Sequence, residues 1–316
     1  MSFLMLWGIL TRHMTPQKMI VLVGATASGK SALAVEIAKA IGCLPAAGQG
    51  EIISADSRQV YRGLDIGTGK ITKKEMRGVP HHLLDIAVPK TVFTAQDFVT
   101  LAREKIEDIS LRGDVPIVCG GTGFYIDALV GRVPLPNVSA DPELRQKLDE
   151  QTLAELFSYL GRLDPRRASA IDKYNKRRII RSIEIALALG KNHKLASRET
   201  YDVLWLGISL SPDMLRARID ARLRERLQKG MVAEARRLHA GSLTYKRMDA
   251  LGLEYRSLSR FLQGRIDKKE LELELQNAIW HYARRQMTYW RRNKNIRWYQ
   301  LENTGQLFRD VERWLT

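Results

Sequence analysis

MIVLVGATASGKS, residues 19–31, is a short β-branched apolar run that stops at a glycine and opens into the pattern GxxxxGK[ST]. Met19–Val23 reads as a buried strand. The apolar spacing of Leu33, Val35, Ile37, Ala38 and Ile41 predicts a helix over Ala32–Ile41. A strand, a glycine-bearing turn and a helix start let successive backbone N–H groups wrap a phosphate chain. Gly24, Ala25, Thr26, Ala27, Ser28, Gly29, Lys30 and Ser31 are therefore read as a diphosphate- or nucleotide-binding loop. Lys30 adds a point charge, and the Ser31 hydroxyl is placed to hold Mg²⁺.

Outward from this loop, strand character returns at Glu51–Ser54, Pro116–Cys119, Val203–Leu210 and Ile296–Leu301. Helical patterns fill Leu101–Leu111, Met214–Met231 and Leu271–Trp290. Strands alternating with helices predict an α/β fold, a P-loop NTPase-like parallel sheet. Prolines 134, 136 and 142 mark a boundary, with Asp141-Pro142 reading as a helix N-cap followed by proline at the first helical position. Beyond it, Leu144, Leu148, Leu153, Leu156 and Leu160 recur at helical spacing and no strand is predicted before residue 200. The expected organisation is a loose extension over 1–17, a first part of the core over 18–135, an all-helical insertion over 136–200, and the rest of the core over 201–316. That last part carries basic-aromatic helices.

The chain has 316 residues, 51 Lys+Arg against 35 Asp+Glu, and a net charge of +16. With 45% hydrophobic residues it can bury a core, which excludes a disordered, fibrous or disulfide-stapled chain. The basic surplus points to a polyanionic partner. Cys43 and Cys119 have no metal-like spacing and fit a reducing cytoplasm. The apolar run Phe3–Leu10 is too short to span a bilayer, and no signal peptide is predicted. A cytoplasmic monomer without membrane contact is expected.

An NTPase of this type places an acid at the end of a buried strand to hold Mg²⁺. Here Pro116–Cys119 ends in Gly-Gly-Thr, and the acid that follows a strand is Asp56, after Ile52-Ile53-Ser54-Ala55. Asp56 is then a metal ligand, an acid–base group beside the phosphates, or a cap of the following turn. The pair His81-His82 lacks a third spaced ligand and reads as packing or turn residues.

Three basic clusters stand out. Leu275–Leu301 contains no acid but holds Arg284, Arg285, Arg291, Arg292, Lys294 and Arg297 among tryptophans and tyrosines. Lys173, Lys176, Arg177, Arg178 and Arg181 form a second cluster in the insertion. Arg218, Arg222, Arg226 and Lys229 line one face of a helix whose other face carries Leu215, Ile219, Leu223 and Leu227. Arginine interleaved with aromatics suits RNA, whose phosphates and unstacked bases both find partners. The competing readings are solvated helix faces, a small-molecule P-loop kinase, and a catalytically silent RNA-binding protein. Most tryptophans should be at least half buried in any case.

The runs GATASGKS (24–31), SADSRQVYRGLDIGT (54–68), PHHLLDI (80–86), GGTGFY (120–125), Leu135–Arg145, Asp164-Pro165, Arg177–Arg181 and RRQMTYWR (284–291) resemble the tRNA dimethylallyltransferases, also called tRNA isopentenyltransferases. The likeness extends over about residues 18–300. It implies transfer of a dimethylallyl group from dimethylallyl diphosphate to N6 of adenosine 37 in tRNA, with diphosphate released and Mg²⁺ as cofactor. The loop, whose motif is commonly read as ATP-binding, would hold the prenyl diphosphate. By the same resemblance Asp56 is the general base, Thr122 contacts diphosphate and target nucleotide, and Arg222 reaches the leaving group. The implied contacts to the tRNA anticodon stem-loop are Asp56, Ser57, Arg58, Gln59, Thr122, Arg145, Arg177, Arg178, Arg181, Arg284, Arg285, Gln286 and Arg291. A prenyltransferase of free adenine nucleotides is the nearer alternative, and the basic insertion favours tRNA over it. One segment departs from the family pattern: Asp249-Ala250-Leu251-Gly252-Leu253-Glu254 carries acids where bases are usual, which weakens any implied RNA contact there.

Overall fold

The computed structural model describes residues 16–45, 47–190, 197 and 199–316; most of the expected N-terminal extension lies outside them. Six strands form one parallel sheet in the order β3-β2-β4-β1-β5-β6. They are β1 (Gln17–Gly24), β2 (Gly50–Ser54), β3 (His81–His82), β4 (Val115–Cys119), β5 (Tyr201–Ser209) and β6 (Arg297–Gln300). The central strand β1 is buried from Met19 to Gly24, as a strand covered on both faces must be. On one face, Ile20 and Leu22 pack with Leu33, Ile37 and Ile41 of helix α1 (Lys30–Ile41) and with Leu307 and Val311 near the C-terminus.

The chain divides into two compact units. Gly131–Arg198 forms one of them, and the other combines the chain before and after it. The elements described in the smaller unit are all helices, with Leu148, Leu156, Leu160, Ile179 and Ile183 as its core. Asp141 accepts the Leu144 N–H and caps its first helix, with Pro142 at the first helical position. All five described tryptophans are buried or half-buried.

Several elements differ from the sequence reading. His81-His82 is a short edge strand paired with β2 rather than a turn; its two residues are too few to leave a periodic signal. The helix read as Leu101–Leu111 starts at Ala95, where Thr94 and Asp97 form a capping box. The helix read as Met214–Met231 is two helices. Pro212–Gln228 ends, Gly230 adopts φ 98°, and Met231–Ala240 begins. A glycine with positive φ ends a helix at little steric cost. Three further helices, Tyr245–Leu251, Leu253–Leu262 and Gly305–Leu315, had no predicted counterpart.

Candidate active site

In an open parallel sheet, ligands bind beyond the carboxyl ends of the strands. Three strand ends meet here: Thr26 in the loop after β1, Asp56 after β2, and Gly120 after β4 line one cavity. The loop 24–31 turns tightly through a Ser28 N–H to Ala25 carbonyl bond of 3.2 Å, with Ala27 at φ 62° and Gly29 at φ 92°. The glycine turn after β4 is pressed from two sides. A Cβ added to Gly121 would strike the Gln286 amide, and one added to Gly123 would strike the Tyr289 ring.

Gln286 ties these loops together. Its Oε1 accepts the Thr26 N–H at 2.8 Å and its Nε2 donates to the Gly121 carbonyl at 2.9 Å. The side chain is buried, with both polar atoms bound to backbone. Gln286 therefore stands in the wall of the site rather than on an open RNA-facing surface. Its neighbours Arg284, Arg285 and Arg291 are exposed.

Lys30 reaches into the cavity and donates to the Ala25 carbonyl at 3.1 Å. Burial lowers its pKa from 10.5, and the charge of Asp56 acts in the opposite sense. Burial pushes the Cys119 thiol up to about 11, so it stays protonated beside the lysine. Asp56 Oδ1 accepts the N–H of Arg58 at 2.8 Å and of Gln59 at 3.2 Å, so the capping role holds for one oxygen. Its Oδ2 accepts no bond among the described residues, and Asp56 lines the cavity. Cap and cavity group are thus compatible roles of one carboxylate.

Thr122 Oγ1 accepts the Ser57 N–H at 3.0 Å, and the Thr122 N–H donates to the Ala55 carbonyl at 3.1 Å. It stitches the β4 turn to the Asp56 turn and is not among the cavity-lining side chains. Arg58 donates Nη1 to the Ser57 carbonyl, while its Nε–H is buried with no partner among the described residues. Tyr282 lines the cavity with Asp56; burial first, and then the Asp56 charge, raises its phenol above the ordinary 10.

Of the helical arginine row, Arg222 and Arg226 line the cavity and Arg218 donates to the Ser28 carbonyl at 3.3 Å. Arg222 has no hydrogen-bond or ion-pair partner among the described residues. Surrounding protein, and then the Arg226 charge, lower its pKa. Arg226 donates to Glu254 at 3.0 Å. The acid that departs from the family pattern thus serves the cavity wall. Their separation in sequence, 28 residues, left no local signal of that pairing.

In the smaller unit, Arg145 makes two bonds to Glu184, at 2.8 and 2.7 Å. Arg181 reaches the same carboxylate at 3.2 Å and the Val138 carbonyl at 2.7 Å. The expected shared face of Arg177, Arg178 and Arg181 is thereby split: Arg181 is half-buried, and Arg177 and Arg178 are exposed without side-chain partners among the described residues. Among the described residues no group of three His, Cys, Asp or Glu could hold a metal ion. The Ser31 hydroxyl lines the cavity, where, with substrate phosphate and water, it would be a protein contact for Mg²⁺. His81 also borders the cavity; burial lowers its pKa below 6.5. Among the described residues no helix is long and apolar enough to cross a membrane.

A family model described as IPP transferase matches residues 59–293. A tRNA dimethylallyltransferase of Leuconostoc citreum is 38% identical over 301 residues, covering 94% of this chain and 99% of its own. One of Thermomicrobium roseum is 39% identical over 93% of this chain and 90% of its own. Among solved structures, the full-length tRNA isopentenylpyrophosphate transferase of Bacillus halodurans superposes with TM-score 0.70 at 32% identity, covering 95% and 96% of the two chains. A eukaryotic dimethylallyltransferase acting on tRNA shares the fold at TM-score 0.79 and 23% identity, over 94% and 77% of the chains.

Proposed function

The chain belongs to the IPP transferase family, and on that premise we propose that it moves a dimethylallyl group from dimethylallyl diphosphate to N6 of adenosine 37 in tRNA. The observation that carries the reading is the cavity itself. The phosphate-binding loop and two cations, Lys30 and Arg222, that make no close ion pair among the described residues line the cavity with a carboxylate, Asp56, that has one free oxygen.

The diphosphate sits on the loop amides and the Lys30 ammonium, which trades its bond to the Ala25 carbonyl for phosphate oxygens. Arg222 meets it from the opposite wall. The adenine is flipped out of the anticodon loop so that its amine reaches the cavity. The N6 lone pair forms a bond to C1 of the prenyl group as the C1–O bond breaks. The bonding pair leaves with diphosphate, and the N6 proton passes to Asp56 Oδ2. Negative charge grows on the leaving group, so fixed donors around it favour the transition state over the ground state. Ser31 and the diphosphate would hold Mg²⁺, which supplies further neutralisation of the leaving charge. Thr122, bound to the Ser57 amide, keeps the Asp56 turn in register with the β4 turn. Arg58, with its unpartnered Nε–H, and the exposed Arg284, Arg285 and Arg291 are the proposed RNA contacts of the larger unit. Arg177 and Arg178 are those of the insertion.

The test is incubation with unmodified tRNA, labelled dimethylallyl diphosphate and Mg²⁺, followed by mass spectrometry of the nucleosides. Label in N6-(dimethylallyl)adenosine at position 37 is expected. ATP-dependent phosphorylation of a small acceptor with no labelled nucleoside would overturn the reading.

A further inference from the structure

We propose that Glu234 is a positioning residue of the donor site, whose buried carboxylate sets the backbone of the loop 65–70 against Arg222 and Arg226. This rests on the function proposed above.

The loop Asp65-Ile66-Gly67-Thr68-Gly69-Lys70 forms a wall of the cavity through Thr68 and Gly69. Glu234, on the helix Met231–Ala240, lies behind it at 3% exposure. Its Oε2 accepts the N–H of Asp65 at 3.0 Å and of Ile66 at 2.7 Å. Its Oε1 accepts the N–H of Gly67 at 2.8 Å and the Tyr255 hydroxyl at 2.7 Å. Three successive amides therefore converge on one anion, as backbone nests do on bound phosphate, except that here the anion is a side chain. No cation pairs with Glu234 among the described residues.

The far side of the loop meets the arginines. Arg226 Nη1 donates to the Gly67 carbonyl at 2.7 Å. Gly69, at φ 59°, lies so close to Arg222 that an added Cβ would sit 3.4 Å from its Nη2. Gly67 is held as closely from behind, where a Cβ would come within 2.7 Å of the Tyr255 hydroxyl. The loop is thus clamped between a carboxylate that fixes its N–H groups and guanidinium groups that read its position. A buried carboxylate is a poor device for stability alone, because its desolvation offsets much of what its bonds contribute. It is an effective device for geometry, because four donors fix both oxygens. A misplaced wall of the order of 1 Å is enough to disturb a bound reactant.

Glu234→Gln keeps the size but replaces one acceptor oxygen with an NH₂ group, so an amide of the loop faces a donor. Three quantities decide the matter: affinity for inorganic diphosphate by calorimetry, KM for dimethylallyl diphosphate and for tRNA, and the melting temperature. Diphosphate affinity and donor KM should each worsen roughly tenfold, with KM for tRNA unchanged. Tyr255→Phe removes one donor and keeps the carboxylate, so it should move the same quantities by less. A folded Glu234→Gln protein with wild-type diphosphate affinity and donor KM, and only a lower melting temperature, would mean a structural role and overturn the proposal. Should Glu234→Gln not fold, unchanged diphosphate affinity in Tyr255→Phe overturns it equally. Wild-type protein that binds diphosphate but transfers no prenyl group would instead refute the proposed function and leave the diphosphate measurements to decide on Glu234.

Discussion

Two cations of the cavity, Lys30 and Arg222, and two of the insertion, Arg145 and Arg181, are held in opposite ways. Lys30 donates only to a loop carbonyl, and Arg222 makes no hydrogen bond or ion pair among the described residues. In the insertion, Arg145 and Arg181 both close on Glu184, a carboxylate whose side chain is 2% exposed. From sequence the two sets look alike, as basic residues at helical spacing. What separates them is whether a buried acid has already neutralised them. A cation left without an acid inside a concave site is available to an anionic ligand; one bound bidentate to a buried carboxylate holds the fold.

The cavity half of the comparison is broken most severely at Asp56. Asp56→Asn preserves the cap through its remaining oxygen but cannot accept the N6 proton. Turnover should fall by roughly 10²–10⁴-fold while tRNA affinity stays at the wild-type level. Single-turnover assays beside a tRNA titration check this, and near-normal turnover would refute the base assignment. Lys30→Ala and Arg222→Ala remove the unneutralised cations. Each should raise KM for dimethylallyl diphosphate by roughly 10- to 100-fold, the worth of a charged hydrogen bond. Donor KM unchanged in both would mean that these cations serve the fold as the insertion's do.

How much of this was legible before the fold was known follows the same division. The loop 24–31, the acid after β2 and the glycine turn after β4 are contiguous motifs, and each requires a particular local backbone, so each could be read directly. Burial was also readable where it is periodic, as on the leucine face of Pro212–Gln228, where Leu215, Ile219 and Leu223 are buried. Partnership was not. Glu184 meets Arg145 across 39 residues, and Glu234 meets the loop amides across 167 to 169. No spacing rule links such positions. Gln286 was placed correctly in a basic-aromatic helix, yet only the fold turns it inward onto Thr26 and Gly121.

The insertion half is sharpened by Arg145→Ala, which should lower stability and leave prenyl transfer at the permissive temperature unchanged. Glu184 would keep Arg181 and the Asp141 amide but lose its bidentate partner. A loss of about 1–3 kcal/mol is expected, toward the lower end because Arg145 is partly exposed. The effect has a sign in pH. Burial pushes the Glu184 carboxyl up, but bonds from Arg145, the Asp141 amide and Arg181 outweigh it and hold the pKa below 4.5. A carboxylate depressed in the folded state stabilises fully above its unfolded value and loses that contribution as pH falls through the folded one. The deficit of Arg145→Ala, read by thermal melts, should thus be full near neutral pH and shrink below about pH 4.5.

The smallest expected effect tests the residual cations of the insertion. Arg177 and Arg178 lie in the first turn of the helix Lys176–Leu189, both exposed. If the anticodon stem-loop meets them, each neutralised phosphate releases most of one counterion. The slope of log affinity against log salt should then flatten by about 0.7–0.9 per lost contact. The double variant Arg177→Ala with Arg178→Ala should therefore flatten the slope by at most about twice that and weaken binding most at low salt. Arg145→Ala, its cation already held by Glu184, should leave the slope where it is. The measurement is a tRNA titration at several salt concentrations for wild type and the two variants. Equal slopes in all three would assign the RNA grip to Arg58, Arg284, Arg285 and Arg291 of the larger unit. A flatter slope in Arg145→Ala would mean that an ion pair to a buried acid does not keep an arginine from RNA, and the contrast between cavity and insertion would fail at its foundation.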